Sequence, residues 1–185
     1  PEIGWPDLRV HPRWIVGDSR HLSDLVQGPF DFIFSCPPYF DLERYSDDGQ
    51  DLSNAVDYDA FVGDYFLILR QAVELLSENR FACFVVGDIR DKQGFYRNFV
   101  GDTVTGFAQA GMKLYNDAIL VTALGSLPIR AGRPFAKFRK LGKTHQNVLI
   151  FYKGDPQEIP THLGILNVEE PPLESAAPPL DTIIA

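Results

Sequence analysis

The chain has 185 residues, of which 45% are hydrophobic and 23% charged, and this composition is typical of one globular domain that buries most of its apolar surface. No apolar run reaches the length of a membrane span and no signal-peptide pattern opens the chain, so we expect a cytoplasmic protein whose two cysteines are free thiols. The net charge of −8 argues against a nucleic-acid partner. The stretch from Gly125 to Thr144, however, carries six basic residues and no acidic one. We call residues 125–144 the basic segment.

The chain begins with a proline-containing entry segment, residues 1–13, that lacks periodicity. Residues 14–16 predict a short strand that ends in a turn. In that turn Asp18 or Ser19 can cap a short helix over residues 20–26.

Residues 30–39 are the most informative stretch of the sequence, because an apolar run stops abruptly at Pro37-Pro38 and is followed by Tyr39. A short apolar run bounded by a breaker predicts a fully buried strand of a parallel sheet. Proline has no N–H to donate to a sheet ladder, so the strand must end there. Ligands of open α/β sheets bind at the carboxyl ends of strands, which makes this turn the candidate site.

The second half of the chain alternates further helices and strands. A long acidic loop over residues 40–56 precedes a helix that Asp57 caps and that residues 77–79 end. A buried strand over 81–86 and a helix over 97–110 follow. Two strands, 114–124 and 145–152, flank the basic segment, which its glycines and prolines predict to be a loop, so we expect this pair to be antiparallel. The predicted fold is an α/β sheet, mostly parallel, with a reversed last strand pair and a proline-rich tail over 155–185.

Three stretches resemble one protein family. Phe-Ile-Phe-Ser-Cys-Pro-Pro-Tyr, residues 32–39, resembles the Asp/Asn/Ser-Pro-Pro-Tyr signature of the DNA amino-methyltransferases, including those of bacterial restriction-modification systems and phages. Val-Gly-Asp-Ser at 16–19 and His-Gln-Asn-Val-Leu-Ile-Phe-Tyr-Lys at 145–153 are similar to segments of the same enzymes. The resemblance covers residues 14–154 and implies a Rossmann-like catalytic domain that transfers a methyl group from S-adenosylmethionine to an exocyclic amino group of a base flipped out of double-stranded DNA.

The resemblance also implies roles for single residues. Tyr39 would stack on the flipped base, the Pro37 carbonyl would accept a hydrogen bond from the amino group, Pro38 would hold the turn, and Cys36 would line the pocket. Asp18 and Ser19 would contact the cofactor. The phosphates of DNA would meet the basic segment, because clustered charge on one surface favours phosphate contacts. Its members are Arg130, Arg133, Lys137, Arg139, Lys140 and Lys143.

Two features depart from the family. Cys36 replaces the usual Asp, Asn or Ser, and a thiol is a weak acceptor. Because serine is usual in the cytosine enzymes, this favours cytosine N4 slightly over adenine N6. The family's glycine-rich cofactor turn is also missing, since the chain contains no Gly-x-Gly. We therefore expect the first strands of the sheet upstream of Pro1.

Several alternatives stay open. Asp18 can be a helix cap alone, the basic segment a solvated loop, and Cys36 an inert buried thiol. A Cys36 nucleophile, as in the cytosine-C5 enzymes, is disfavoured because those enzymes place proline before the cysteine. The whole domain can also be a catalytically degenerate fold that acts as a DNA-binding or interaction module, or a methyltransferase of RNA or protein side chains.

Overall fold

The computed structural model describes residues 11–121 and 127–168, and for residues 127–130 it describes the backbone alone. The described strands are β1 (Phe30–Ser35), β2 (Leu76–Val86), β3 (Lys113–Val121) and β4 (His145–Lys153). The described helices are α1 (Leu22–Leu25), α2 (Tyr58–Leu75), α3 (Phe99–Gln109), α4 (Leu127–Phe138) and α5 (Ile159–Leu163). The expectations for residues 1–10 and 169–185 lie outside the described residues.

The four strands form one sheet in the order β1-β2-β4-β3. β1 pairs in parallel with β2, where Phe34 lies opposite Cys83. β4 is antiparallel to both of its neighbours, β2 and β3. Three strands therefore point in the same direction and β4 alone is reversed, which confirms the predicted α/β sheet and its antiparallel last pair.

α2 forms as predicted, because the Asp57 carboxylate accepts a hydrogen bond from the Ala60 amide at 2.8 Å and the helix buries an apolar stripe. The prediction that residues 77–79 end the helix was wrong, since α2 stops at Leu75 and β2 begins at Leu76. Pairing of Leu76 with Phe30 and of Arg80 with Lys153 recruits this polar stretch into the sheet and overrides its turn propensity.

α2 and α3 cover one face of the sheet and form the core with it. The rings of Phe107 on α3 and Phe151 on β4 stack at a centroid distance of 3.9 Å and an angle of 18°. Gly106 permits close packing of the two helices, because a Cβ there would lie 2.7 Å from Leu69 Cδ1 and 2.9 Å from Phe66 Cδ1. This core holds β1 and β2 in place, and their carboxyl ends carry the candidate site.

The prediction of a fully buried β1 was wrong, because Phe32 and Phe34 on its other face are 55% and 62% exposed. β1 is an edge strand of the described sheet, and no described helix packs on that face. The predicted strand at 14–16 is also wrong, since these residues have no regular structure and Val16 is 99% exposed. No described strand pairs with them, so their apolar sequence alone does not make a strand.

The basic segment is largely helical rather than a loop, because residues 127–138 form α4. The prediction of a loop was based on the glycines and prolines of the segment, and the helix accommodates both prolines. Pro128 is the second residue of the helix, where a missing N–H costs nothing, and Pro134 is accommodated within it. The helix ends at Phe138, because Arg139 has a φ of 58° and leaves the helical path. Residues 122–126 lie outside the described residues.

Candidate functional site

The fold brings the predicted site residues to one edge of the sheet. β1 and β2 are parallel, so Cys36 after β1 and Gly87 after β2 lie at the same edge. The connection between β3 and β4 lies there too, because Val121 and His145 are paired. The Pro-Pro-Tyr turn, the segment after β2 and α4 therefore share this edge, which is the ligand-binding edge of open α/β sheets.

A cavity of about 370 Å³ opens beside the turn. It is lined by residues from both predicted groups, namely Asp18 and Ser19 with Cys36, Pro37 and Pro38. Two stretches that resemble the family separately, residues 16–19 and 32–39, thus both contribute to the lining of the same cavity. The cavity falls within the size range of small-molecule sites.

Asp18 is held by Arg20, a residue that the sequence analysis did not single out. The Asp18 carboxylate accepts from the Arg20 amide at 2.9 Å and from its guanidinium at 2.9 to 3.1 Å. These hydrogen bonds hold the pKa of Asp18 below its ordinary value. Arg20 reaches Asp64 on α2 at 3.0 Å as well, which fastens the turn to the core. The alternative that Asp18 acts as a helix cap is confirmed, and most of its acceptor capacity is already used.

Tyr39 points away from this cavity toward the carboxyl end of β2. Gln146 Nε2 donates to its hydroxyl at 2.5 Å, and its ring meets the Phe99 ring edge-on at 5.8 Å and 69°. A Cβ on Gly87 would lie 3.9 Å from the Tyr39 hydroxyl. Burial raises the pKa of Tyr39 above its ordinary value.

These contacts fix the Tyr39 ring in orientation and leave it only half-buried. Gln146 belongs to the last strand that resembles the family, and the sequence analysis predicted no role for it. Gln146 lies among the three polar residues, His145 to Asn147, that begin this strand before its apolar run.

Cys36 and Cys83 are free thiols, as predicted. Cys36 is exposed at the cavity, so the alternative of an inert buried thiol is wrong for it. It leaves β1 just where the prolines end the ladder, which turns it away from the core. Cys83 is half-buried on β2, and burial raises its pKa.

The acidic loop after Tyr39 is folded and forms one wall of the cavity through Gln50, Asp51 and Leu52. The Asp51 carboxylate accepts from the Ser53 amide at 2.9 Å and from the Ser46 hydroxyl at 2.8 Å, which lowers its pKa. The loop is therefore ordered by its own hydrogen bonds and confines the site from one side.

Most of the predicted DNA-contacting residues lie together on α4 and just after it. Arg133, Lys137 and Lys140 line a groove of about 390 Å³ with Pro134 and Phe138. Arg139 and Lys143 follow the helix, and the Arg130 side chain lies outside the described part of the chain. Exposed rings interleave with these charges, since Phe135 and Phe138 are 48% and 60% exposed.

Residues 11–121 and 127–168 contain no group of His, Cys, Asp and Glu side chains arranged to hold a metal ion. Over the same ranges, no helix is long and apolar enough to cross a membrane.

Neither a family model nor a curated protein matches the sequence. The fold does match solved structures of a Thermus thermophilus protein, TTHA0409, that is provisionally named a DNA modification methylase. One match has 18% identity and a TM-score of 0.56 and covers 86% of this chain and 56% of that protein. A structure of the same protein complexed with S-adenosyl-L-methionine matches at 17% identity and a TM-score of 0.54. This match covers 76% of this chain and 52% of that protein. A selenomethionine form of the protein matches at 17% identity and a TM-score of 0.55, and the match covers 75% of this chain and 51% of that protein.

At this identity the likeness establishes the fold, and the expected methyltransferase-like α/β architecture is confirmed. The chain spans about half the length of the protein that it matches.

Proposed function

We propose that this chain is part of an enzyme that methylates an exocyclic amino group of a DNA base, with S-adenosylmethionine as methyl donor and cytosine N4 slightly favoured over adenine N6. The observation that carries the proposal is the Cys36–Tyr39 turn, which follows β1 at the ligand-binding edge and whose Cys36, Pro37 and Pro38 line one cavity with Asp18 and Ser19. The DNA modification methylase name of the structural neighbour, and its complex with S-adenosyl-L-methionine, support the same proposal.

The reaction needs an amino group made more nucleophilic, because its lone pair is delocalised into the base. The Pro37 carbonyl accepts a hydrogen bond from this group and draws it toward a tetrahedral geometry. Tyr39 stacks on the flipped base, and its ring is already held by Gln146 and Phe99. Cys36 lines the pocket as a weak acceptor, which leaves most of the activation to the carbonyl.

The residues that line the cavity can bind only part of S-adenosylmethionine. Ser19 and Asp51 give the 370 Å³ cavity hydrogen-bonding groups, whereas Asp18 is largely occupied by Arg20. When bound, S-adenosylmethionine supplies an electrophilic methyl group. We propose that a further strand paired along the free edge of β1 completes its pocket. The unpaired edge of β1 and its exposed Phe32 and Phe34 support this part of the proposal.

The DNA substrate is held, in this proposal, by the basic residues on and after α4. Arg133, Lys137 and Lys140 lie at the same edge of the sheet as the turn and so can contact phosphates next to the flipped base. Arg139 and Lys143 follow α4 in the chain, and Arg130 belongs to the same proposed set on sequence alone.

A second candidate function is a catalytically degenerate fold that binds DNA without methylating it. The commitment of Asp18 to Arg20 favours it, together with the weak acceptor at Cys36. The two functions differ in cofactor use, so calorimetry with S-adenosylmethionine on the intact gene product separates them.

The test of the proposed function is Tyr39→Ala, assayed as transfer of tritiated methyl groups from S-adenosylmethionine to DNA by the intact gene product. We expect loss of methyl transfer with the circular dichroism spectrum retained, since stacking worth about 1–3 kcal/mol disappears along with the positioning of the base. Tyr45→Ala is the matched control, because Tyr45 is 65% exposed in the neighbouring loop and should leave transfer unchanged. Turnover retained in Tyr39→Ala would contradict the role of this ring.

A further inference from the structure

Residues 89–97, directly after β2, form a small β-hairpin that is fixed by its own hydrogen bonds. The Arg97 amide donates to the Ile89 carbonyl at 2.9 Å, and the Asp91 amide donates to the Phe95 carbonyl at 2.8 Å. The Asp91 carboxylate accepts from the amides of Gly94 and Phe95 at 2.6 and 2.9 Å, which lowers its pKa. We call this element the 89–97 hairpin. Ile89 at its start belongs to the core, and the Arg97 guanidinium at its end lies 4.8 Å from the centroid of the Tyr58 ring, so both ends are held in place.

The hairpin presents an aromatic surface to solvent. Phe95 is 70% exposed and Tyr96 is 47% exposed. The Arg90 guanidinium lies 3.9 Å from the centroid of the Tyr96 ring and donates to the Gly94 carbonyl at 2.7 Å. Phe95 therefore contributes little to the core, and the ring is free to stack on another π-face.

The hairpin lies between the Pro-Pro-Tyr turn and the basic helix. Its Arg97 guanidinium lies 5.0 Å from the centroid of the ring of Phe40, the residue that follows Tyr39, and a cleft of about 350 Å³ opens beside this contact. On its other side the Nζ atom of Lys140 lies 2.7 Å from the position that a Cβ on Gly94 would take. The exposed ring is thus placed between the predicted base platform and the predicted phosphate contacts.

The charge of the hairpin matches a polyanion. Its surface carries Arg90 and Lys92 against Asp91, while the Arg97 guanidinium stacks on the rings of Phe40 and Tyr58; the whole chain has a net charge of −8. Together with Lys140 it extends the basic surface of α4 toward the site. Aromatic rings interleaved with basic side chains are typical of surfaces that stack on bases and bind phosphates.

We propose that the 89–97 hairpin is a second DNA-contacting element, in which Phe95 stacks on the bases beside the flipped one while Arg90 and Lys92 contact the flanking phosphates. The inference rests on the proposed function, since it assumes DNA at this edge. Flipping a base leaves a gap in the stack, and an apolar wedge that enters the gap stabilises the opened duplex. The exposed ring of Phe95 supplies such a wedge.

The test is fluorescence anisotropy of a labelled 20-base-pair duplex over a series of NaCl concentrations. We expect Phe95→Ala to weaken binding by about fivefold or more at every salt concentration without changing the salt slope, because stacking involves no counterion release. Phe95→Trp should keep the affinity. Lys140→Ala should instead reduce the salt slope by about one. Leu163→Ala is the control, because this exposed residue lies on α5, beyond the opposite end of β4.

Photo-crosslinking gives an independent readout. A duplex substituted with 5-iododeoxyuridine should crosslink to the tryptic peptide of residues 93–97, and Phe95→Ala should reduce that product. Affinity unchanged in Phe95→Ala, or absence of DNA binding at low salt, would overturn the inference. Failure of methyl transfer with the crosslink retained would instead count against the proposed function and leave the hairpin contact standing.

Discussion

The hydrogen bond between Gln146 and Tyr39 gives a direct test of how the base platform is held. Tyr39→Phe removes the hydroxyl, Gln146→Met removes the donor with little change in volume, and the double variant removes both. A neutral hydrogen bond contributes about 1 kcal/mol to the free energy of unfolding. Both side chains are half-buried, so each single variant leaves a polar partner that water reaches in part. We expect each to lower this free energy by about 1 kcal/mol, at the low end of the cost of an unpaired group.

The double variant should cost about as much as one single variant, because no polar group is left unpaired. Urea denaturation followed by circular dichroism measures all of these free energies, and the cycle should give a coupling of about 1 kcal/mol. Tyr115→Phe is the control partner for Gln146→Met, since Tyr115 packs against Phe81 and Tyr152 near the other end of the sheet. Free energies for Tyr39→Phe and Gln146→Met that add within about 0.3 kcal/mol would refute the contact.

Two further predictions concern stability, both read from denaturation curves. Gly106→Ala should destabilise the protein by about 1–3 kcal/mol, because the added Cβ would collide with Leu69 and Phe66. Gly63→Ala should stabilise it by up to about 1 kcal/mol, because Gly63 on α2 faces open space and alanine favours the helix. Equal effects of the two substitutions would contradict the packing of α2 on α3. Burial raises the pKa of Tyr65 above its ordinary value of 10, so the unfolded chain loses this proton first. Tyr65 therefore contributes stability that is complete below pH 10 and is lost above it, by about 1.4 kcal/mol per pH unit, and Tyr65→Phe should make the alkaline decline shallower by that amount.

The sequence predicted those elements whose pattern is local. The strand that stops at Pro37, the capped helix after Asp57 and the last strand from His145 all form as expected. In each case the signal is a breaker, a cap or a period, and these act within a few residues. The edge of the sheet where the site lies followed from the same signals.

The features that sequence analysis missed depend on tertiary contacts. Residues 77–79 read as a helix stop, yet sheet pairing makes them part of β2. β1 read as buried because its composition is apolar, and composition does not reveal how many neighbours a strand has. The roles of Arg20 and Gln146 depend on partners that folding alone brings close, and Gln146 lies 107 positions from Tyr39.

The most direct test of the central claim is nucleoside mass spectrometry of DNA from cells that express the intact gene. We predict a methylated exocyclic amino group, N4-methylcytosine ahead of N6-methyladenine, and its loss in cells that express Tyr39→Ala at equal protein level. DNA with neither modified base, or with the same amount in Tyr39→Ala cells, would contradict the central claim.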